Sequence, residues 1–205
     1  MMERRFAKLF SVVFHPLLLV TYGILSLNAF TRDVPQLFAV YVDTQMVLLF
    51  FLFSFVIPAT AIYLLYRFKR VKDLSLSNRK DRYFPYFIAL FCSFFLFFIY
   101  EKYIIISWYY RFFFNIYWFS LAVALYSNFI LKVSSHALGM GAVTGFVLIT
   151  NIYTLSAYFW VFVLCVLVSG FVCSARLVLG AHTAKEVGTG YALGLATAFV
   201  VCFLF

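Results

Sequence analysis

Charge is what this sequence has least of: Asp, Glu, Lys and Arg make up 11% of its 205 residues, against 66% apolar ones. That excludes the soluble globular class, in which about a quarter of residues are charged. Metal-type cysteine spacing is missing too. Cys92, Cys165, Cys173 and Cys202 lie singly in apolar stretches and read as small buried or lipid-facing side chains, silent about redox compartment. No small-residue cleavage site follows the first apolar run, residues 6–30, which is also too long for a cleaved signal; it is expected to be a first membrane span. The net charge of +9 would suggest nucleic acid in a soluble chain, but the cations cluster at the ends of apolar spans, where they set orientation or meet anionic lipid. No nucleic-acid partner is expected.

What the chain has instead is apolar length, with Phe at 29 positions. Further runs over residues 44–66, 85–106, 112–131, 137–153, 158–173 and 187–205 approach what a membrane-crossing helix needs. Only helices satisfy their backbones in such runs. The expected fold is therefore all-α: one integral membrane domain over residues 1–205, a polytopic transmembrane helical bundle of six or seven spans, the count open by one because the fifth and sixth are short. His15-Pro16 inside the first run reads as a kink with a locally satisfied histidine, a ligand role being the alternative. Arg32, Asp33, Pro35 and Asp43 mark a polar connection and residues 154–157 a brief turn. Trp108, Tyr109, Tyr110, Tyr117 and Trp118 look like an interfacial aromatic belt.

The longest polar segment, residues 67–85, begins with seven cations in sixteen residues and needs water, phosphate or both. Two crossings separate its Arg79 to Arg82 end from His136, and two more separate His136 from His182. All three polar stretches thus emerge on the face where the chain starts and can converge. That face holds all of the 16 Lys and Arg except Arg32, Lys102 and Arg111, a bias that survives setting aside the cations kept for substrate. By the positive-inside rule the site is expected to face the cytoplasm.

The densest chemistry sits in residues 174–186, where Arg176 is followed six places on by His182 and four further on by Glu186. On a helix running from His182 the two would share a face, and the carboxylate would hold the imidazole by its second nitrogen. Gly190, Gly194 and Ala198 continue that face as a smooth stripe; Ala137, Gly141 and Gly145 form another, so these spans are natural close-packing partners. The bland alternative is an Arg and a Glu snorkelling at the membrane surface beside an unengaged His.

Convergent arginines, two histidines and one carboxylate, with neither a cysteine cluster nor paired acids, suit phosphoryl transfer without a metal or other cofactor. Arginine forks match phosphate oxygens and stay charged near lipid. A neutral His can attack phosphorus while an oriented carboxylate stabilises the charge its ring acquires. A second His can protonate the departing oxygen, then help activate the water that hydrolyses the phospho-enzyme. Ser134 and Ser135 are placed to cap the fifth span, so backbone N–H groups and the helix dipole would add to an anion site.

These residues resemble the three-part signature of the type 2 phosphatidic acid phosphatase superfamily, the integral membrane lipid phosphatases related to vanadium haloperoxidases. The family's third motif, SRxxxxxHxxxD, matches Arg176 and His182 at the same spacing, with Ala175 for Ser and Glu186 for Asp. Its second, PSGH, corresponds to Val133-Ser134-Ser135-His136, keeping Ser and His. Its first, KxxxxxxRP, is matched only by the presence of Arg79, Lys80, Arg82 and Pro85, and which of these cations binds phosphate stays open. The resemblance covers about residues 78–194, the phosphatase-like core. It implies His182 as nucleophile, Glu186 as its orienting partner, His136 as general acid, Arg176 with Arg79, Lys80 or Arg82 as phosphate clamp, and Ser134 on a phosphate oxygen. Lys132 has no counterpart in the motif; a lipid-headgroup contact and a substrate contact are both open.

The leading expectation is a phosphatase acting through a phospho-histidine on a lipid phosphomonoester or diphosphate of the phosphatidic acid, phosphatidylglycerol phosphate or polyprenyl diphosphate class. A cytoplasmic site favours the first two. The alternative is a catalytically silent relative that binds or translocates phosphorylated lipids, to which the altered motifs and Glu186 point. A pore-lining transporter is disfavoured because the charged residues cap spans rather than sit at membrane depth. Vanadium-dependent halogenation is disfavoured because the enzymes resembled there are soluble and this chain has almost no extramembrane mass. The expected partners are a membrane lipid phosphate and the bilayer; oligomeric state is open, since both small-residue stripes can be used within one chain.

Overall fold

The computed structural model describes residues 2–30, 44–103, 108–155 and 159–205. The connection at Arg32, Asp33, Pro35 and Asp43, the end of the third run and the second half of the 154–157 turn lie outside the described residues. Among the described residues every regular element is helical.

The first run is not one continuous helix. It forms α1 (Met2–Val13) and α2 (Pro16–Phe30), which meet at a 60° bend. Pro16 is the cause: it has no N–H to give the Val12 carbonyl, which His15 N takes instead at 3.3 Å, and the helical ladder stops. At twelve residues, with Glu3, Arg4, Arg5 and Lys8 exposed, α1 cannot cross a bilayer by itself. It packs on α8 (Phe159–Val178) through a face carrying Ala7, Phe10 and Ser11, with Phe10 stacked on Phe171.

The next crossing joins α3 (Thr44–Phe51), a π-helical turn (Leu52–Val56) and α4 (Ile57–Arg67). Its wider turn falls just before Pro58, which breaks the regular ladder. After the polar segment come α5 (Tyr83–Tyr103), α6 (Trp108–Ile130), α7 (Ser135–Tyr153), α8 and α9 (Ala184–Leu204). Six stretches are long and apolar enough to cross a membrane, and the bent α1–α2 pair makes a seventh if it is one broken span. The chain is a multi-pass, all-α membrane protein. Its outer surface agrees: Phe87, Phe91, Phe94 and Phe98 on one side of α5 are each more than half exposed, a stripe suited to lipid.

The most buried span is α7, and its closest neighbour is α9. The two small-residue stripes face each other. A Cβ added at Gly194 would collide with the Leu138 carbonyl and stand 2.7 Å from the Ala142 nitrogen; one at Gly190 would stand 2.8 Å from the Ser134 carbonyl. Glycine is what lets these backbones touch. In the half of the bundle away from the polar loops, Phe112, Phe113 and Phe114 of α6 pack with Phe146 of α7 and Ile24 of α2. In lipid such a core is held by close packing rather than by expulsion of water.

Candidate active site

The site begins where α8 stops. Gly180 adopts φ 65°, Gly180 N donates to the Leu177 carbonyl at 2.9 Å, and Ala181 N donates to the Arg176 carbonyl at 3.2 Å. This paired closure turns the chain sharply at the helix end and needs a residue tolerant of left-handed backbone. Arg176, in the last turn of α8, and His182 are thereby joined by one short, defined turn.

Helix α9 starts at Ala184, two residues later than the sequence suggested, so His182 stands outside it. The pairing with Glu186 survives because Thr183 is the N-cap of a capping box. Thr183 Oγ1 accepts from Glu186 N at 3.3 Å, while Glu186 Oε2 folds back to accept from Thr183 N at 3.3 Å and from His182 Nδ1 at 2.7 Å. A carboxylate only accepts, so Nδ1 carries the proton and Nε2 keeps its lone pair. Ser134 N donates to the Glu186 carbonyl at 3.1 Å, tying the start of α7 to the first turn of α9. Two helix N-termini, each presenting the positive end of its dipole, therefore open side by side.

Cations surround this pair. Arg82, only 5% exposed, donates from Nε to the Leu76 carbonyl at 2.8 Å and from Nη1 to the Val133 carbonyl at 2.9 Å, stitching the polar segment to the residue before Ser134. Lys132 Nζ lies 4.0 Å from Glu186 Oε2 and donates to the Ala181 carbonyl at 3.4 Å. Arg176 donates from Nη1 to Ser11 Oγ at 2.5 Å; its buried Nε has no protein partner among the described residues. Burial lowers the His182 pKa from 6.5 to about 4; the Glu186 hydrogen bond opposes that fall, and the charges of Arg82, Arg176 and Lys132 reinforce it.

The other two cations of the first segment do different work. Arg79 donates to the carbonyls of Ile130 at 2.9 Å and Phe129 at 3.2 Å, capping the end of α6. Lys80 is exposed, and its backbone N–H meets the Asn78 side chain that caps the short 3₁₀ turn Arg79–Arg82. Of the three, Arg82 is the one whose charge reaches His182.

Ser134 is fully buried and is the N-cap of α7, its Oγ accepting from Ala137 N at 3.4 Å. Ser135 opens that helix, with its hydroxyl 2.6 Å from Tyr86 Oη. His136, one residue on, donates from Nε2 to the Ser11 carbonyl at 3.0 Å. His15 accepts locally from Leu17 N at 3.3 Å, and its ring meets His136 edge-on with centroids 5.3 Å apart. Ser11 belongs to none of the sequence motifs. The available signal was its place among Ala7, Phe10 and Phe14 on one side of a strongly amphipathic segment ending at a proline.

Among the described residues no three His, Cys, Asp or Glu side chains are grouped to hold a metal ion. No protein-family model matches this chain, and no curated protein or solved structure is significantly similar to it.

Proposed function

We propose that this chain is an integral membrane phosphatase of the type 2 phosphatidic acid phosphatase kind, hydrolysing a phosphomonoester or diphosphate on a lipid. The observation that carries this is the His182–Glu186 pair: a neutral imidazole held by Nδ1 at 2.7 Å, its other nitrogen free to attack, within reach of three cationic side chains. Nucleophile, orienting acid and charge to hold a phosphate are what phosphoryl transfer asks for.

In this mechanism Arg176, Arg82 and Lys132 hold the phosphate oxygens, helped by the N-termini of α7 and α9. The His182 Nε2 lone pair forms a bond to phosphorus as the bond to the leaving oxygen breaks. Glu186 stabilises the positive ring, and His136 supplies the proton that the leaving oxygen needs. Water then attacks phosphorus, His136 takes its proton, the P–N bond breaks, and inorganic phosphate leaves with His182 restored. The acyl or prenyl tail stays in the bilayer. The distribution of Lys and Arg supports a cytoplasmic site, where phosphatidic acid and phosphatidylglycerol phosphate are the fitting substrate classes.

The test is phosphate release from a panel of lipid phosphates by the purified protein, with His182→Ala beside it. Turnover lost in the folded variant supports the reading. No turnover from any substrate, while a known lipid phosphatase works under the same conditions, overturns it; tight lipid-phosphate binding without turnover selects the silent binder instead.

A further inference from the structure

Resting on the phosphatase reading of the site, we propose that Ser11 is a positioning residue: its hydroxyl sets Arg176 for phosphate capture, and its backbone carbonyl sets His136 for proton transfer. Both contacts come from α1, outside the three polar stretches that supply the rest of the site.

The carbonyl is available for a reason written in the chain. In an unbroken helix Ser11 O would accept from His15 N; because Pro16 ends the ladder, His15 N goes to Val12 O and the Ser11 carbonyl is left over. Buried at 7% exposure, it cannot turn to water, and His136 Nε2 meets it at 3.0 Å, nearer than the Ser11 hydroxyl, which lies 3.4 Å from the same nitrogen. A carbonyl only accepts, so Nε2 keeps its N–H whatever the charge of the ring; the transferable proton of protonated His136 is then the one on Nδ1, which is given to the leaving oxygen and regained from the attacking water. Ser11 does for His136 what Glu186 does for His182. The same residue's hydroxyl accepts from Arg176 Nη1, which leaves the buried, unpartnered Nε of that guanidinium for a phosphate oxygen.

The experiment uses full-length protein in lipid nanodiscs, reading kcat and KM on the lipid phosphate and, independently, inorganic phosphate binding by phosphorus NMR. Ser11→Ala removes the hydroxyl and keeps the carbonyl, so KM rises about tenfold, the scale of one charge-assisted hydrogen bond, with kcat within about twofold. Ser11→Thr keeps the hydroxyl and restores KM. Pro16→Ala lets His15 N return to Ser11 O, so kcat falls about tenfold. An unchanged KM in Ser11→Ala, equal losses in the Ala and Thr variants, or an unchanged kcat in Pro16→Ala overturns the proposal while leaving the phosphatase reading intact. If the wild type turns nothing over yet binds phosphate, weaker binding in Ser11→Ala supports Ser11 although the hydrolase reading has fallen, and equal binding overturns it. A wild type that neither turns over nor binds phosphate overturns both.

Discussion

Glu186 Oε2 reaches His182 Nδ1 at 2.7 Å from inside α9 to a residue outside it. The full length of the Glu side chain spans that gap, because the same oxygen also accepts from the N-cap at Thr183 N. Glu186→Asp shortens the arm by one methylene, so the imidazole loses its hold although Asp is the acid in the motif this stretch resembles. Glu186→Gln keeps the reach and loses the charge that steadies a positive ring. Turnover is expected to drop about a hundredfold in each, with KM little changed, in steady-state phosphate release.

His182 is expected to stay neutral through ordinary pH. Its pKa is lowered from 6.5 to about 4, first by burial, so a ring-nitrogen NMR titration of the substrate-free protein should show a midpoint near 4. The linkage has a fixed sign. Between 6.5 and 4 the unfolded chain binds a proton that the folded one refuses, so this group's contribution to stability is present above 6.5 and lost as pH falls toward 4. Unfolding midpoints followed against pH should show that loss in the wild type and less of it in His182→Gln.

Two glycines in or next to α8 should answer the same substitution with opposite signs. Gly180 sits at φ 65° in the turn joining Arg176 to His182, so Gly180→Ala costs about 1 kcal/mol of stability and lowers activity with it. Gly170 lies in the helix with nothing within 4 Å of an added Cβ, so Gly170→Ala is neutral or stabilising by about 0.5–1 kcal/mol. Unfolding in mixed micelles, with phosphate release measured in parallel, separates the two.

What the sequence disclosed follows the physics of each feature. The α7–α9 contact was legible because close approach demands small side chains at helical spacing, and Gly141, Gly145, Gly190 and Gly194 advertise it. Thr183 and Glu186 stand three apart, the spacing of a capping box, but the four-residue spacing of His182 and Glu186 also fits a helix running from His182, the reading that the structure replaces. His15-Pro16 announced a kink. The docking of α1 on α8, which brings Ser11 to Arg176, depends on contacts between segments some 160 residues apart, and the amphipathic pattern of α1 does not say which helix it meets. The choice among Arg79, Lys80 and Arg82 was hidden for a similar reason: a short 3₁₀ turn aims each side chain differently, and only the packed position of α6 shows which one is claimed by helix-end carbonyls.

Those two arginines, three residues apart, should therefore separate stability from catalysis. Arg79 is bound to the last carbonyls of α6, so Arg79→Ala should lower stability by about 1 kcal/mol and leave KM where it was. Arg82 is buried, joins the polar segment to Val133 and depresses the His182 pKa. Arg82→Lys keeps one positive charge but not the fork that reaches two carbonyls, and should raise KM for the lipid phosphate about tenfold. Arg82→Gln also removes the charge, so its His182 titration should move upward from about 4, a shift that Arg79→Ala does not produce. Measuring KM, unfolding and the ring titration on all three variants makes the assignment exclusive: a KM change in Arg79→Ala with none in Arg82→Lys would transfer the phosphate clamp to Arg79 and detach Arg82 from the site.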